Sequence, residues 1–239
     1  MQATLNTFAI LAIAALAGCS DRSAQSVDPR IADPSRPIVL VTHPTEPPCS
    51  YTNGAGAIVG TDIDLARRIA AKMGRELVVE AVEFSDILPR LKAGTADLGI
   101  STITITEARK RDVDFSHPYA FGGACFLYRT GDPKPRMSQI AMTSVGVETD
   151  TTEDIYLSCH GGDPLRFVHL ADALESLDRK EIDAVFFDDI PLERVAKESG
   201  GRYSVTQIVT RDGYGVAVDK RRPDVLAAAN AVIAEGGAK

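Results

Sequence analysis

The sequence predicts an α/β fold with two similar lobes, and two observations support that prediction. Segments with strand-like and helix-like patterns alternate along the chain, which is the order found in parallel α/β architectures. The stretches 88–102 and 174–188 also share one spacing: a leucine, a second leucine three residues later, an aspartate six residues after that, and then an apolar run. Because the elements around both stretches follow the same order, we interpret the two halves as lobes of similar design.

In the first half, β-branched runs predict the strands, and apolar residues at helical spacing predict the helices. Gly74 and Gly94 are typical helix stops, and Ser85 is the expected N-cap of the second helix. The expected elements are a strand over 38–42, a hairpin over 51–60, a helix over 62–74, a strand over 76–82, a helix over 85–94 and a strand over 96–101.

The second half repeats this order between two crossings of the chain. The expected elements are a first crossing over 120–129, a strand over 144–148, a helix from about 152, a strand over 166–170, a helix over 171–179, a strand over 182–187, a return over 210–218 and a last helix over 223–237. The last helix packs back on the first lobe. We therefore expect a discontinuous lobe 1 (38–126 and 212–239) around a continuous lobe 2 (127–211).

Composition limits the classes of function. The chain has 239 residues, is 44% hydrophobic and 25% charged, and carries a formal net charge of −7. An acidic chain of this kind argues against nucleic-acid binding, which needs a basic face. No internal apolar run approaches the roughly 20 residues that span a membrane. We expect no cofactor, no metal and no catalytic residues, since no Ser-His-Asp order, HExxH motif or P-loop is visible.

The N-terminus carries a short apolar stretch, FAILAIAALAG, that ends in LAGC at Cys19. This pattern resembles the lipobox of bacterial lipoprotein signal peptides, which implies cleavage after residue 18 and lipidation of Cys19. The first seven residues lack the Lys or Arg that such signals normally carry. Residues 19–37 are polar and proline-rich, and we expect them to form a flexible tether.

Three further cysteines are widely spaced. Cys49, Cys125 and Cys159 do not form a CxxC pattern, which excludes the usual redox and zinc motifs. Two of them can pair in an exported protein, or all three can be small buried residues. The sequence leaves both alternatives open.

Polar side chains follow corresponding strands of the two lobes. Ser101 and Thr102 end a strand of lobe 1, and Asp188 ends the matching strand of lobe 2. Ligands of open α/β sheets bind beyond the carboxyl ends of strands, so we expect a cleft with hydroxyls on one side and a carboxylate on the other.

Arg109 stands just beyond these hydroxyls, three residues after the expected N-cap Thr106. A cation is disfavoured in the first turn of a helix, which suggests that Arg109 holds an anion, and its planar fork suits a carboxylate. The alternative is a half-exposed strand with a solvated arginine.

Three segments, GTDIDLARRIAAKMG, SDILPRLKAGTADLGISTITITEARKRDVDFSHPY and DAVFFDD, together resemble the family 3 extracellular solute-binding proteins. These are the polar amino-acid receptors of bacterial ABC importers, and the resemblance covers about 38–235. It implies a type II periplasmic-binding-protein fold with the ligand in an interlobe cleft. It also implies a monomeric, non-enzymatic protein of the periplasm that delivers an amino acid to an ABC permease.

The resemblance also implies roles for individual residues. Arg109 matches the arginine that binds the ligand α-carboxylate, and Asp188 matches the carboxylate that pairs with the ligand ammonium. Hydroxyl and backbone groups of Ser101, Thr102 and Thr104 match further ligand contacts. Thr152 matches a second carboxylate donor.

Two of these assignments carry a reservation. Asp150 stands where the motif around Thr152 usually has glycine, which changes the expectation for that loop. The alternative for Asp188 is an exposed acid that starts a helix.

The pocket for the ligand side chain departs most from the family pattern. Glu46 replaces an aromatic residue, and Cys49 replaces a phenylalanine. By analogy Phe84 packs on the ligand side chain, and His43 faces the same region. Glu46 either contacts a basic or amide side chain or turns outward as a solvated loop acid.

Two other functions remain as alternatives. One is a cyclohexadienyl dehydratase-like enzyme, in which Glu46 or Glu148 is the acid that promotes elimination. The other is a ligand-sensing module that reports to a separate membrane partner.

Overall fold

The computed structural model describes residues 28–236. The expected signal peptide, the lipidation site Cys19 and the first part of the expected tether lie outside these residues. Within them, no helix combines the length and the apolar character needed to cross a bilayer.

The first part of the described chain builds most of one sheet and its helices. In chain order its elements are α1 (Pro29–Ala32), β1 (Ile38–Thr42), β2 (Thr45–Glu46), β3 (Ser50–Thr52), β4 (Ile58–Val59), α2 (Thr61–Lys72), β5 (Leu77–Ala81), α3 (Phe84–Ala93), β6 (Leu98–Gly99) and β7 (Asp114–Phe115). A single 3-10 turn, Arg109–Arg111, precedes β7.

The remaining chain builds the second sheet and then returns to the first. Its elements are β8 (Ala120–Gly122), β9 (Ala124–Arg129), β10 (Val145–Glu148), α4 (Thr152–Cys159), β11 (Leu165–Phe167), α5 (Leu170–Asp178), β12 (Ala184–Asp188), α6 (Asp189–Glu198), β13 (Tyr203–Val205), β14 (Asp212–Tyr214), β15 (Ala217–Val218) and α7 (Pro223–Gly236). A 3-10 segment, Met137–Met142, precedes β10.

Two five-stranded sheets share one design. The first has the order β5-β1-β6-β15-β7, and the second has the order β11-β10-β12-β9-β13. In each sheet three neighbouring strands are parallel, and the fourth strand, β15 or β9, runs antiparallel to both of its neighbours. The predicted two-lobed α/β fold is therefore confirmed.

Each lobe has an apolar core between its sheet and its helices. In lobe 1, Leu40 pairs with Val79 on one side and Leu98 on the other, and it packs with Ile63 of α2 and Val232 of α7. In lobe 2 the cores on the two faces of the sheet include Leu127, Leu177, Val185, Phe126, Val147, Leu157 and Phe186. Helix α7, although last in the chain, is thus part of lobe 1, as predicted.

The two lobes are joined by a short antiparallel ribbon of β8 and β14, in which Ala120 pairs with Tyr214. The expected boundary after residue 126 falls inside β9, whose residues Ala124–Arg129 pair only with β12 and β13. We therefore propose that lobe 2 begins at Ala124, because strand pairing and not the crossing itself fixes residues 124–126.

Two local expectations need correction. Helix α3 begins at Phe84 with Glu83 as its N-cap, so Ser85 is not the cap. Thr106 accepts a hydrogen bond from the backbone N–H of Arg109 at 3.2 Å, as a cap does, but only one 3-10 turn follows. The turn cannot lengthen because Val113 is buried in the core and β7 starts directly after it.

The tether expected over 19–37 is wrong for its second part. Residues 28–33 form the single turn α1, and Arg30 is 5% exposed. Its guanidinium contacts Asp28 at 2.6 Å, Asp219 at 2.5 Å and Asp97 at 3.2 Å. Because breaking buried ion pairs costs free energy, this contact fixes α1 on lobe 1.

A second arginine completes the same cluster from the start of α7. Arg222 is fully buried and contacts Asp97, and it binds Asp224 at 2.9 Å. Asp97 also accepts a hydrogen bond from the backbone N–H of Val39 at 2.9 Å. The cluster thus ties α1, β1 and α7 together at the bottom of lobe 1.

The cysteines of the described residues are unpaired. Cys49 and Cys125 are buried, whereas Cys159 is exposed. Burial raises the pKa of both buried thiols to about 12. The expectation of three buried cysteines is therefore wrong for Cys159, and the alternative of a disulfide does not hold here.

Candidate functional site

A cleft between the lobes encloses about 380 Å³ of space between atoms. All nine side chains that the sequence predicted for the site line it: His43, Glu46, Phe84, Ser101, Thr102, Thr104, Arg109, Thr152 and Asp188. Seven of them come from lobe 1, whereas Thr152 and Asp188 come from lobe 2. Glu148, which the sequence suggested only as an enzymatic acid, lines the cleft as well. Three further lining residues were not predicted from the sequence: Thr151, Glu153 and Phe187.

Arg109 reaches from lobe 1 towards lobe 2. Its Nη1 donates to the carbonyl of Thr104 at 3.0 Å, and its Nη2 donates to the carbonyl of Asp150 across the cleft at 3.4 Å. Its Cζ lies 5.5 Å from the centroid of the Phe84 ring. No salt bridge of Arg109 occurs within residues 28–236, and burial lowers its pKa. A half-buried guanidinium that binds only carbonyls among the described residues can take up an anion. Its contacts with both lobes support the prediction of an anion partner over the alternative of a solvated arginine.

The start of α4 lies beside Arg109. Thr151 caps this helix by accepting from the backbone N–H of Asp154 at 3.3 Å, and Thr152 Oγ1 donates to Thr104 Oγ1 of the other lobe at 3.3 Å. Free N–H groups at the start of a helix favour an anion. Arg109 and the first turn of α4 thus lie on the same side of the cleft, where the carboxylate of Glu153 also lies, 3.3 Å from Thr152 Oγ1.

Asp150 adopts the backbone conformation that glycine usually has at this position of the family motif. Its φ is 63°, in the left-handed region that glycine usually supplies and that aspartate tolerates better than most residues. Its carbonyl accepts the hydrogen bond from Arg109. The turn before α4 therefore keeps the shape that the cleft needs.

Asp188 ends β12 and is 9% exposed, so the alternative of an exposed helix-starting acid is wrong. The Tyr214 hydroxyl donates to its Oδ1 at 2.6 Å. Burial, and next the negative charge of Glu153, raise the pKa of Asp188 well above its usual range. A cation placed beside this carboxylate would restore the ionised form.

Two glutamates face the cleft with free oxygens. Glu46 Oε2 and Glu148 Oε2 are buried and have no hydrogen-bond partner among the described residues. Burial raises the pKa of Glu46 to about 7. Burial, and then the charge of Glu46, raise the pKa of Glu148 to about 8. Glu46 is therefore not the outward-facing loop acid that we considered as the alternative.

The end of β6 is held in an unusual conformation. Thr102 has a φ of 46°, and its backbone N–H donates to Asp62 Oδ2 at 3.1 Å. Ser101 Oγ donates to the carbonyl of His43 at 3.3 Å. A β-branched residue at positive φ is strained, and such strain clusters at functional sites. Asp62, which the sequence analysis did not single out, thus fixes the hydroxyl-bearing edge of the cleft.

The lobes touch each other across the cleft. Arg194 Nε of α6 donates to the carbonyl of Pro47 at 3.1 Å, in addition to the contacts of Arg109 and Thr152. Beside the cleft, three side chains that could hold a metal ion lie close together, although we expected no metal: His43, Glu83 and His169.

A two-lobed α/β fold with a charged cleft between the lobes defines the class of type II periplasmic binding proteins. Residues 38–238 match the family described as bacterial extracellular solute-binding proteins, family 3, and the chain belongs to that family.

Individual relatives agree with this assignment. The chain is 26% identical over 202 residues to an arginine-binding periplasmic protein of Mannheimia haemolytica, covering 82% of this chain and 83% of the relative. It is 26% identical over 232 residues to the L-cystine-binding protein of Escherichia coli K12, covering 95% and 87%. The arginine-bound form of truncated ArgBP from T. maritima is 31% identical, with a TM-score of 0.79 over 84% of this chain and 96% of that one.

Proposed function

We propose that the protein captures an amino acid with a cationic side chain in the interlobe cleft and delivers it to an ABC permease. One observation carries the proposal. Among residues 28–236, the cleft holds a guanidinium without a carboxylate partner, a buried carboxyl group on the opposite lobe, and two more carboxyl groups with buried oxygens that have no hydrogen-bond partner. The relatives named for arginine and cystine support an amino acid as the ligand class.

The two opposite charges suit the backbone part of an amino acid. Arg109 and the start of α4 offer donors for an α-carboxylate, whereas Asp188 offers an acceptor for an α-ammonium. Buried charges are stable only when they are paired. A zwitterion therefore supplies each lobe with the counter-ion that it lacks, and closure of the lobes brings both ends into contact.

The side-chain end of the cleft selects for positive charge. Glu46 and Glu148 add two carboxyl groups to the pair formed by Arg109 and Asp188. A third, Glu153, lies in the first turn of α4 near Arg109 and adds to the negative charge of the cleft as a whole. An arginine or lysine side chain satisfies free carboxylate oxygens with N–H donors and offsets part of this negative charge. A ligand with a neutral side chain does not offset this negative charge.

Glu46→Gln and Glu148→Gln should each weaken arginine and lysine binding at least tenfold and change glutamine binding less. A hydrogen bond to a charged group contributes about 1.5–3 kcal/mol, and an amide keeps the size but loses the charge. The measurement is calorimetric titration of each variant with arginine, lysine and glutamine, with Glu76→Gln on the exposed surface as the control. Equal losses for all three ligands would remove the two glutamates from selection of the side chain.

The same pair predicts a pH dependence with a defined sign. A cationic ligand pairs with the ionised carboxylates, so binding expels the protons that Glu46 and Glu148 hold below their pKa values of about 7 and about 8. Arginine affinity in the wild type should therefore rise from pH 6 to pH 8, by up to about tenfold per pH unit for each proton released. Glutamine affinity should not rise.

The charged groups that act on this pair are Glu83 and Glu153, which face Glu148, and Arg194, which faces Glu46. The double variant Glu46→Gln, Glu148→Gln keeps these surrounding groups and removes only the two titrating carboxyl groups. Its arginine affinity should therefore no longer depend on pH between 6 and 8.

The raised carboxyl pKa values also suit a general acid, which favours a dehydratase-like enzyme as the second candidate. Incubation with the ligand, followed by mass spectrometry, distinguishes the two functions. A binding protein returns its ligand unchanged, so mass spectrometry after incubation should recover only the added compound. A dehydrated product from a cyclohexadienyl carboxylate, formed by the wild type and not by Glu148→Gln, would establish the enzyme.

We also propose that the protein is held at the extracytoplasmic face of a membrane by lipid on Cys19, a position outside the described residues. The proposal is supported by the LAGC sequence and by family relatives that are named periplasmic. Cys19→Ser should move the protein from the membrane fraction to the soluble fraction, and mass spectrometry should detect the lipid only in the wild type. A wild-type protein that is unmodified and not membrane-associated would contradict the anchor.

A further inference from the structure

The hydroxyl of Tyr214 lies beside one oxygen of the Asp188 carboxyl group. Tyr214 ends β14 in the ribbon that joins the lobes, and its hydroxyl donates to Asp188 Oδ1 of lobe 2 at 2.6 Å. Among residues 28–236 no other group donates a hydrogen bond to this carboxyl group. Because Asp188 also lines the cleft, its second oxygen, Oδ2, stays available to a ligand.

Packing fixes the position of this hydroxyl. The Tyr214 side chain is 1% exposed, and β14 pairs with β8, in which Gly122 lies. A Cβ atom at Gly122 would lie 2.7 Å from the Tyr214 hydroxyl oxygen and 2.9 Å from its ring atom Cε2. Only glycine therefore lets the ring lie directly against this strand, and the close contact leaves the hydroxyl little room to move.

The backbone of Tyr214 holds the other end of the site. Tyr214 and Thr104 face each other in an antiparallel bridge, which is flanked by two backbone hydrogen bonds of 2.9 Å and 3.0 Å. The carbonyl of Thr104 accepts from Arg109 Nη1 at 3.0 Å. Tyr214 thus contacts both the segment that positions Arg109 and the carboxyl group of Asp188.

We infer that Tyr214 is a positioning residue for ligand binding, which holds Asp188 in place for the α-ammonium while its backbone holds the segment beside Arg109. The inference rests on the proposed function, because it assigns the two ends of an amino acid to Arg109 and Asp188. A site built to bind a polar group rejects an analogue that lacks it, since the protein group is then left unpaired. Tyr214 therefore helps to select α-amino acids over carboxylates without an ammonium group.

The Tyr214 hydroxyl also favours the ionised form of Asp188. Burial, and next the charge of Glu153, raise the pKa of Asp188, whereas the hydrogen bond from Tyr214 lowers it. Burial, and then the charge of Asp188, raise the pKa of Tyr214 above its usual range, so the hydroxyl keeps its proton and remains a donor. The other charged or titratable groups that act on Asp188 are Glu153, Asp212, Asp189, Arg109, Cys49 and Cys125.

The first test is calorimetric titration of the full-length protein with arginine and with its des-amino analogue, which lacks the α-ammonium. Tyr214→Phe should bind arginine at least tenfold more weakly than the wild type, because the hydrogen bond that positions the Asp188 carboxylate is lost. The variant should not bind the des-amino analogue more weakly than the wild type does, since that ligand has no ammonium for Asp188. A merely structural role of Tyr214 would weaken both ligands alike.

A second variant and a matched control accompany Tyr214→Phe. Gly122→Ala keeps the tyrosine but displaces its hydroxyl, so it should also lower arginine affinity. Tyr203→Phe is the control, because the Tyr203 hydroxyl donates to Asp178 within lobe 2 and neither residue lines the cleft. Its arginine affinity should stay within about threefold of the wild type. Circular dichroism checks that all three variants are folded.

The second test needs no ligand. NMR titration of the aspartate carboxyl carbons, with Asp188→Asn to assign the signal, follows Asp188 directly. Asp188 should titrate at higher pH in Tyr214→Phe than in the wild type, and at the wild-type pH in Tyr203→Phe.

Three results would overturn the role of Tyr214 alone, provided that the wild type binds arginine. They are an arginine affinity of folded Tyr214→Phe within about threefold of the wild type, equal losses for arginine and its des-amino analogue, and a titration of Asp188 that does not move. A wild type that binds no amino acid would instead refute the proposed function.

Discussion

Replacement of Arg109 by alanine should abolish measurable amino-acid binding and leave the fold intact. Each charge-assisted hydrogen bond to the ligand carboxylate contributes about 1.5–3 kcal/mol. A desolvated carboxylate left without its partner costs about 2–5 kcal/mol in comparable interfaces. A micromolar complex has only about 8 kcal/mol in total, so little binding remains. The fold should persist, because the protein groups bound by the Arg109 side chain are two carbonyls and the Phe84 ring.

The experiment is calorimetric titration with circular dichroism to confirm folding. Arg109→Lys should recover little affinity, since a point charge cannot replace the planar fork. Arg111→Ala is the control, because Arg111 lies in the same turn but is exposed. A folded Arg109→Ala protein with an affinity within about threefold of the wild type, or roughly 0.6 kcal/mol, would contradict the role that we give to this residue.

Arg222→Met should lower the free energy of unfolding by about 3–5 kcal/mol, because it removes one partner of a buried ion-pair cluster. Arg222 is fully buried between Asp97 and Asp224. After the substitution Asp224 has no arginine beside it among the described residues, and Arg30, at 3.2 Å, is the one cation that still pairs with Asp97 there. Methionine preserves most of the apolar volume, so the loss measures the charge and not a cavity.

Urea denaturation of the wild type and the variant gives the difference in the free energy of unfolding. Arg221→Met is the matched control: its side chain is 50% exposed and pairs with Asp219 at 2.9 Å, so we expect a loss of about 1 kcal/mol or less. A loss below about 1 kcal/mol for Arg222→Met would show that the cluster does not hold lobe 1 together.

The elements of the fold were predictable because their signals are local. The run 38–42 and the helical spacing that begins near Ile63 each depend on neighbouring residues, and the structure places β1 and α2 there. The repeat around Leu88 and Leu174 correctly indicated two lobes of one design. Helix starts were less predictable, because the capping residue depends on where the preceding strand ends. The N-cap of α3 is Glu83 and not the expected Ser85.

The cluster of Arg30, Asp97 and Arg222 could not be predicted, because its members are far apart in the sequence. Arg30 stands in a polar, proline-rich stretch that is typical of a tether, and nothing near it indicates burial. Its partner Asp97 was visible only as a member of the repeated spacing. A charge becomes a buried partner only when the fold brings an opposite charge to it.

Ser101 and Asp188 were predicted because ligands bind beyond the carboxyl ends of strands, and both residues line the cleft. Glu153 also lines the cleft but was not predicted. The same rule could have found Glu148, which ends β10. Glu153 stands in the first turn of α4, where an acid is explained by the helix dipole alone. Glu153 lines the cleft because lobe 1 packs next to the start of α4, and the sequence of α4 alone does not show which part of the other lobe lies there. The ligand contacts of all these residues stay predictions until binding is measured.

The position of β15 has a consequence for how the chain acquires its structure during synthesis. This strand lies between β6 and β7, yet the whole of lobe 2 precedes it in the sequence. Lobe 2 can complete its sheet as soon as residues 124–205 have emerged. Lobe 1 cannot, because β6 lacks one of its two neighbours and β7 lacks its single neighbour until β15 has been made.

A nascent chain therefore exposes the free edge of β6 and the apolar face of α2 until its last segment has been made. Exposed strand edges and apolar surface promote aggregation of such intermediates. Contacts between residues so distant in sequence also form slowly. We therefore expect the chain to be most prone to aggregation in the interval between the folding of the two lobes.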